Sequence, residues 1–397
     1  MSLLSCFYGK ATTLATVTFT MDDRKKQIRE RVLKFDFALA IVSVAIAAFG
    51  VLMVYSATKD SMIQQGISQY YYLERQALYV ALGVGVMILV ATIDYRRISS
   101  VAYVMYGGLL LALVGVYIPH IGKTALGAQR WYQLGPFQLQ PSEFASIVII
   151  VAMAYYIDSL EGPLNLKSLI QLLIMVGIPM VLIIKQPDIG TGLVVGITGA
   201  SLLAVDRTPG RYLAVLAIGA VFGVYLIVHL GVLHKFQLAR LTSFLNQNKN
   251  PFGANGYNLT ESKIAIGSGG FWGKGLFQGT QTNLSYVPEQ QTDFIFTAVG
   301  EQLGFVGSAS LIAAFGFVCY RIFRAMRLAK DPLGRLTAAG IFGLFVYSVF
   351  QNAGMTVGIM PITGIPLPFM SYGGSAMLTF FAAIGLVLNI SMRRSVG

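Results

Sequence analysis

The chain has 397 residues, of which 55% are hydrophobic and only 12% charged, with a mean hydropathy of +0.67. A soluble globular domain carries about 25% charged residues, so this is an integral membrane protein. The net charge of +12 does not imply a nucleic-acid partner, because basic residues follow the positive-inside bias of membrane chains.

Residues 1–20 are rich in Ser and Thr, and their apolar run is too short for a signal-peptide core. They read as a disordered extension, with the charged stretch from Met21 a natural start. Residues 1–35 form a cytoplasmic N-terminal segment, 36–392 a single transmembrane domain and 393–397 a cytoplasmic tail. The fold class is an all-α polytopic membrane protein of about ten spans. Runs of roughly 20 apolar residues fall at 36–57, 73–93, 99–119, 142–158, 167–185, 188–205, 211–233, 293–320, 335–359 and 369–391. With both termini inside, the inner segments hold 18 Lys and Arg against 10 outside, which supports that orientation. Two outer loops are long, 120–141 and 234–292, and long loops are usually functional. Cys6 and Cys319 make no disulfide framework or metal spacing, and His120, His229 and His234 show no zinc signature.

Candidate chemistry gathers on the outer side. "VPEQQTDFIF" places Asp293 at the lip of span eight, with Glu289, Gln290, Gln291 and Lys263 facing the same side. The residues leave two readings open: a helix cap favoured by the dipole, or a half-buried base with a raised pKa. Glu301 lies eight positions on, about 12 Å deeper and about 80° around a helix. It reads as a cavity group or a helix-packing hydrogen bond. "QPDIGTG" opens span six with Pro187 suited to the first turn and Asp188 as a second outer carboxylate. "GSGGFWGKG" (267–275) fails as a phosphate loop, with Ser268 where the first Gly is needed and Gly275 where Ser or Thr is required. It reads as a flexible or tightly turned interfacial loop, with Trp272 as its anchor. "GIPLPFMSYGGSA" offers the hydroxyls of Ser371, Tyr372 and Ser375 beside Gly373 and Gly374.

The segments "GAQRW", "QPSE", "QPDIGTG", "SKIAIGSGGFWGKG", "PEQQTDFIF" and "PLPFMSYGGS" occur in one chain in this order. In this the sequence resembles the SEDS proteins, the peptidoglycan polymerases RodA and FtsW and their sporulation relative, over about residues 37–392. The wording of several motifs is more similar to the RodA branch. The resemblance implies ten spans, residence in the bacterial cytoplasmic membrane and polymerisation of lipid II. It makes Asp293 the proposed catalytic residue. It implies as partners a class B penicillin-binding protein, elongation-complex membrane proteins and membrane lipid. The family usually has His where Gln291 stands, and often Glu and then Asn or Lys where Thr124 and Leu126 stand, which leaves Lys123 and Arg130 as the local polar candidates.

The substrate-binding candidates are Lys123, Arg130, Trp131, Glu143, Asp188, Lys263, Glu289, Ser371 and Tyr372. A pyrophosphate leaves more readily than the alkoxide that glycosidases must protonate, so one base, Asp293, can suffice. Lys123, Arg130, Lys263 and Lys274 are then candidates to stabilise the departing charge. A divalent cation, Mg or Mn, is an open cofactor, without a committed metal cage. Two competing classes are a lipid II flippase and a scaffold that recruits the penicillin-binding protein. Neither an inverted repeat nor charges aligned through several spans speak for the flippase.

Overall fold

The computed structural model describes residues 34–118, 122–125, 128–135, 137–162, 164–205, 208–229, 235–245, 247 and 256–394. The Ser/Thr-rich extension and its basic continuation, Cys6, His120, Leu126, Gly127, Arg207, His234, Lys249 and residues 395–397 lie outside these.

The described elements are α1 (Phe37–Gln64), α2 (Tyr71–Thr92), α3 (Tyr95–Ser100), α4 (Ala102–Gly115), β1 (Gly122–Ala125), β2 (Ala128–Leu134), β3 (Phe137–Leu139), α5 (Pro141–Asp158), α6 (Leu166–Lys185), α7 (Ile189–Val205), α8 (Gly210–His229), α9 (Lys235–Leu245), α10 (Tyr257–Gly269), α11 (Thr280–Asn283), α12 (Ile295–Arg327), α13 (Pro332–Val357) and α14 (Gly374–Met392). Among the described residues seven helices are long and apolar enough to cross a membrane, and Ala102–Gly115, Ile189–Val205 and Gly210–Gly219 are shorter apolar helices. These correspond one for one to the ten expected spans.

Local chemistry sets the helix ends. Asp36 starts α1 by accepting the Leu39 N–H at 3.0 Å, and Asp331 starts α13 by accepting the Gly334 N–H at 2.8 Å, with Pro332 in the first turn, where its missing N–H costs nothing. Gly358, with φ 86, ends α13 in the left-handed conformation that glycine adopts without a Cβ penalty. The centre of the bundle is α14, packed along α2, together with α13, which packs against α5, α7 and α12. The apolar window of α14 is 83% buried against 28% for α6, so α14 is a core helix and α6 a lipid-facing one.

Ion pairs fasten the end of the bundle that holds Lys34 and Arg394. Arg321 pairs with Asp36 at 2.5 Å, Arg96 with Asp331 at 2.6 Å and Arg393 with Asp94 at 3.1 Å. The Lys34 ammonium donates to the Arg394 carbonyl at 3.3 Å. Basic residues concentrate here, as the inside-positive bias requires.

The opposite end carries what the hydropathy pattern did not resolve. Loop 120–141 contains the antiparallel sheet β1-β2-β3. Loop 234–292 contains the helices α9, α10 and α11 among its described residues. Span eight differs most from expectation. α12 breaks at Gly304 (φ 64, ψ −158), a backbone region open essentially to glycine alone. Before the break, Ile295–Gln302 are all buried in protein; immediately after it, Phe305 is 62% exposed. The lipid-facing span therefore begins at Phe305, and the segment after Asp293 is a short helix inside the protein.

Candidate active site

Asp293 sits in a turn immediately before α12. Its N–H donates to the Glu289 carbonyl at 3.1 Å, and its own carbonyl accepts from the Asn352 amide at 2.9 Å. The same Asn352 nitrogen donates to the Ile365 carbonyl at 2.8 Å. Asn352 is fully buried in the C-terminal part of α13, and it ties the Asp293 turn to the loop leading into α14. That loop supplies Gly364 (φ +74), whose position would bring a Cβ within 3.3 Å of the Asp293 carboxylate. A second tie runs from the Tyr372 N–H to the Gln291 carbonyl at 2.8 Å.

The cap reading of Asp293 does not hold. The residue preceding α12 is Phe294, and no side chain caps that helix. Thr292 does not cap it either, since its hydroxyl donates to the Glu289 carbonyl at 3.1 Å. No ion pair within 4.0 Å among the described residues involves Asp293. Burial, helped by the charge of Glu289, raises its pKa to about 6 against the opposing pull of Arg240, the Thr292 hydroxyl and Arg130. The result is an accessible-pH carboxylate not committed to structure, with one positive φ residue, Glu289 (φ 50), strained beside it.

The other carboxylates have assigned work. Asp188 caps α7 by accepting the Thr191 N–H at 3.1 Å. It also accepts from Gln140 at 3.1 Å and pairs with Arg130 at 3.4 Å. Pro187 therefore precedes the cap and is not in the first helical turn. Arg130 reaches Asp188 from β2, with its guanidinium carbon 5.3 Å from the Trp131 ring centre, and its Nε is buried without a hydrogen-bond partner. Glu143, in the first turn of α5, lies within electrostatic reach of Asp188, Arg130 and Asp293. Strand β2, the starts of α5 and α7, and the Asp293 turn thus converge on one site.

Several candidates do not join it. Glu301 is fully buried and saturated: it pairs with Lys274 at 2.8 Å and accepts the N–H groups of Gln281 and Thr282 at 2.8 and 2.9 Å. It is a structural anchor for α11, and Lys274 is held by it instead of facing a leaving group. Lys123 is exposed on the sheet and donates to Gln133 at 3.1 Å. Lys263 donates to Gln247 at 2.9 Å, beside Gly358. The Ser371 hydroxyl accepts the Leu367 N–H at 2.8 Å and is only 3% exposed, which makes it part of a turn. Tyr372 packs its ring against Tyr72 and Tyr79 at 4.8 and 5.8 Å. Burial, and then Tyr79, push its phenol above the ordinary value.

Among the described residues no group of three or more His, Cys, Asp and Glu is placed to hold a metal ion.

The family profile "Cell cycle protein" (FtsW, RodA, SpoVE) matches residues 37–396. The chain belongs to the SEDS family. Its relatives include a probable peptidoglycan glycosyltransferase FtsW of Trichlorobacter lovleyi, 37% identical over 370 residues, covering 91% of this chain and 94% of the relative. The peptidoglycan glycosyltransferase MrdB of Escherichia coli is 34% identical over 377 residues, covering 95% and 98%. Among solved structures, the Thermus thermophilus rod shape determining protein RodA superposes with a TM-score of 0.68 at 27% identity, covering 91% and 98%. A chain from "Structural coordination of polymerization and crosslinking by a peptidoglycan synthase complex" reaches 0.75 at 27% identity, covering 90% and 97%. This SEDS protein is a peptidoglycan glycosyltransferase of the inner membrane. Both branches match at similar identity, so overall likeness does not choose between them.

Sequence reasoning gave no role to Asn352, Arg240, Gln140 or Gly364, although Gln140 and Gly364 stand in the motifs "QPSE" and "GIPLPFMSYGGSA". Asn352 left a signal as a neutral amide within an apolar span, where polar groups seek partners.

Proposed function

We propose that this SEDS protein polymerises lipid II, with Asp293 as general base, in the manner of the RodA branch and for cell elongation. The observation that carries this reading is the Asp293 carboxylate, raised to about 6 and left out of every ion pair among the described residues. The acceptor sugar's C4 hydroxyl gives its proton to Asp293, and its oxygen bonds to the donor's anomeric carbon. The bond from that carbon to the undecaprenyl pyrophosphate breaks, and the pyrophosphate departs with the electron pair. Arg130 and Arg240 are the cations whose fields already reach Asp293, and they are the groups suited to balance the departing charge. Glu143 and Glu289 lie within electrostatic reach of Asp293, and Asp188 pairs with Arg130. The complex named for the neighbouring solved structure supports a class B penicillin-binding protein as the crosslinking partner.

Radiolabelled lipid II with purified protein, with and without such a partner, tests the reading. Glycan chains from the native protein, and none from Asp293→Ala, are expected. A fully active Asp293→Ala variant rejects Asp293 as the base. Moved lipid without chains would identify a flippase, and neither product a scaffold.

A further inference from the structure

The Gly269–Gly275 segment repairs the break in α12. In a continuous helix the Phe305 and Val306 N–H groups would donate to the Glu301 and Gln302 carbonyls. Here they donate to the carbonyls of Gly270 (2.9 Å) and Phe271 (3.2 Å), while the two vacated carbonyls accept from the N–H groups of Lys274 (3.1 Å) and Gly275 (2.9 Å). These four groups freed by the break are thus satisfied by one strap, as a low-dielectric setting demands. Side chains reinforce the joint: Glu301 holds Lys274, and Gln302 accepts the Phe277 N–H at 2.8 Å and bonds Ser56 of α1. Gly270, Gly273 and Gly275 all have positive φ, at 56°, 82° and 102°, so the strap is tightly turned.

The outer face of this joint is apolar and uncovered. Phe271 stacks on Phe305 at 5.6 Å and meets Trp272 edge-on at 5.2 Å. Trp272 is 77% exposed. The one charged residue of the strap, Lys274, turns inward to Glu301. Because Phe305 is the first lipid-facing residue of α12, this aromatic face continues the lipid-facing surface at its outer limit. Aromatic rings of this kind belong at the headgroup boundary.

We propose that the Phe271–Trp272 face of the strap docks on the outer leaflet of the bilayer, at the boundary between headgroups and acyl chains. Through the fastened helix Ile295–Leu303 it then sets the depth of Asp293 relative to that leaflet. The consequence for catalysis rests on the lipid-linked substrate proposed above, because a pyrophosphate on a polyprenyl tail lies at the same boundary.

The chain has two tryptophans, Trp131 and Trp272, so Trp131→Phe makes Trp272 the sole emitter (Trp131→Tyr serves if that variant does not assemble). The full chain is placed in vesicles whose lipids carry bromine either high or low on the acyl chain. Blue-shifted emission, lost mostly to the shallow bromines, is expected. Water-like emission, or emission that neither lipid quenches because a second copy or another protein covers the ring, overturns the docking. Quenching only by deep bromines does so too. This readout needs no enzyme activity, so it stands apart from a failure of the polymerase reading. For the depth effect, Trp272→Ser should lose polymerisation in vesicles while keeping it in detergent. Equal activity of that variant and the native chain in vesicles overturns this part.

Discussion

Asp293 and Glu301 show how two carboxylates eight residues apart come to opposite uses. Glu301 accepts from two backbone N–H groups and a lysine, and it is spent on structure. Asp293 accepts little and is crowded by protein, so burial lifts its pKa to about 6. A base must be ionised, so polymerisation should fall as the pH drops through about 6, two units above an unperturbed aspartate. A pH–rate profile on lipid II checks this; an acid limb near 4 instead counts against Asp293. The linkage has a definite sign. A raised carboxylate pKa means the folded state binds more protons between pH 4 and 6, so stability falls as pH rises through that window. Asp293→Asn should therefore melt higher than the native chain above pH 6, with the gain gone below pH 4, while making no polymer. Asn352 belongs to the same scale. Its amide holds the Asp293 and Ile365 carbonyls together, and Asn352→Leu should unfold about 1–3 kcal/mol more easily, the cost of buried acceptors left unpaired, and slow turnover more than it weakens substrate binding. Thermal unfolding and separate kcat and KM values test this. Asp293 was readable as a candidate in the sequence because its flank is polar where lipid demands apolar residues. Its freedom from the cap was not readable, since any carboxylate before a helix can cap it.

Among the elements, the broken α12 and its strap form the unit least visible in the linear pattern. Hydropathy cannot see the break, because a helix buried in protein and a helix buried in lipid are equally apolar; Ile295–Leu303 and Phe305–Arg327 read as one run. Nor does spacing reveal that Lys274 serves Glu301, because the pair is made by a fold-back across the joint. Of the glycines of "GSGGFWGKG", Gly270, Gly273 and Gly275 make the tight turn that the sequence announced, while Gly267 and Gly269 belong to the end of α10. Removing one partner of this pair should show how much the joint depends on it. Lys274→Met leaves the buried Glu301 carboxylate without its cation, at a cost of about 3–5 kcal/mol, and the double variant with Glu301→Gln should recover part of the loss. Denaturant unfolding of both variants gives the comparison. Equal stability of the single and double variants would show that the ion pair is not coupled. The sheet at β1–β3 was hidden for another reason: its strands are short, and Gly and Gln interrupt their alternation.

For the whole molecule, the ten spans were the most legible feature, since a bilayer imposes length and composition on every one of them. The charge bias puts both chain ends on the inner side, and that orientation predicts labelling. A cysteine at Gly66, in the turn after α1, should react with a membrane-impermeant thiol reagent on intact cells. One at Lys330, before α13, should react only once the membrane is opened. The reverse pattern would invert the whole assignment. The three ion pairs near the chain ends, Arg321–Asp36, Arg96–Asp331 and Arg393–Asp94, bear on what such a molecule can do with a lipid. They join α1, the α2–α3 turn, α12, the start of α13 and the end of α14 like a drawstring at the mouth of a bag. A carrier must loosen both mouths in turn. Here the cytoplasmic mouth is cinched by residues from five places in the chain, while the outer mouth is rimmed by a small sheet and short helices. A molecule tied at one end receives and releases its cargo by the other, which suits a workbench facing outward better than a revolving door.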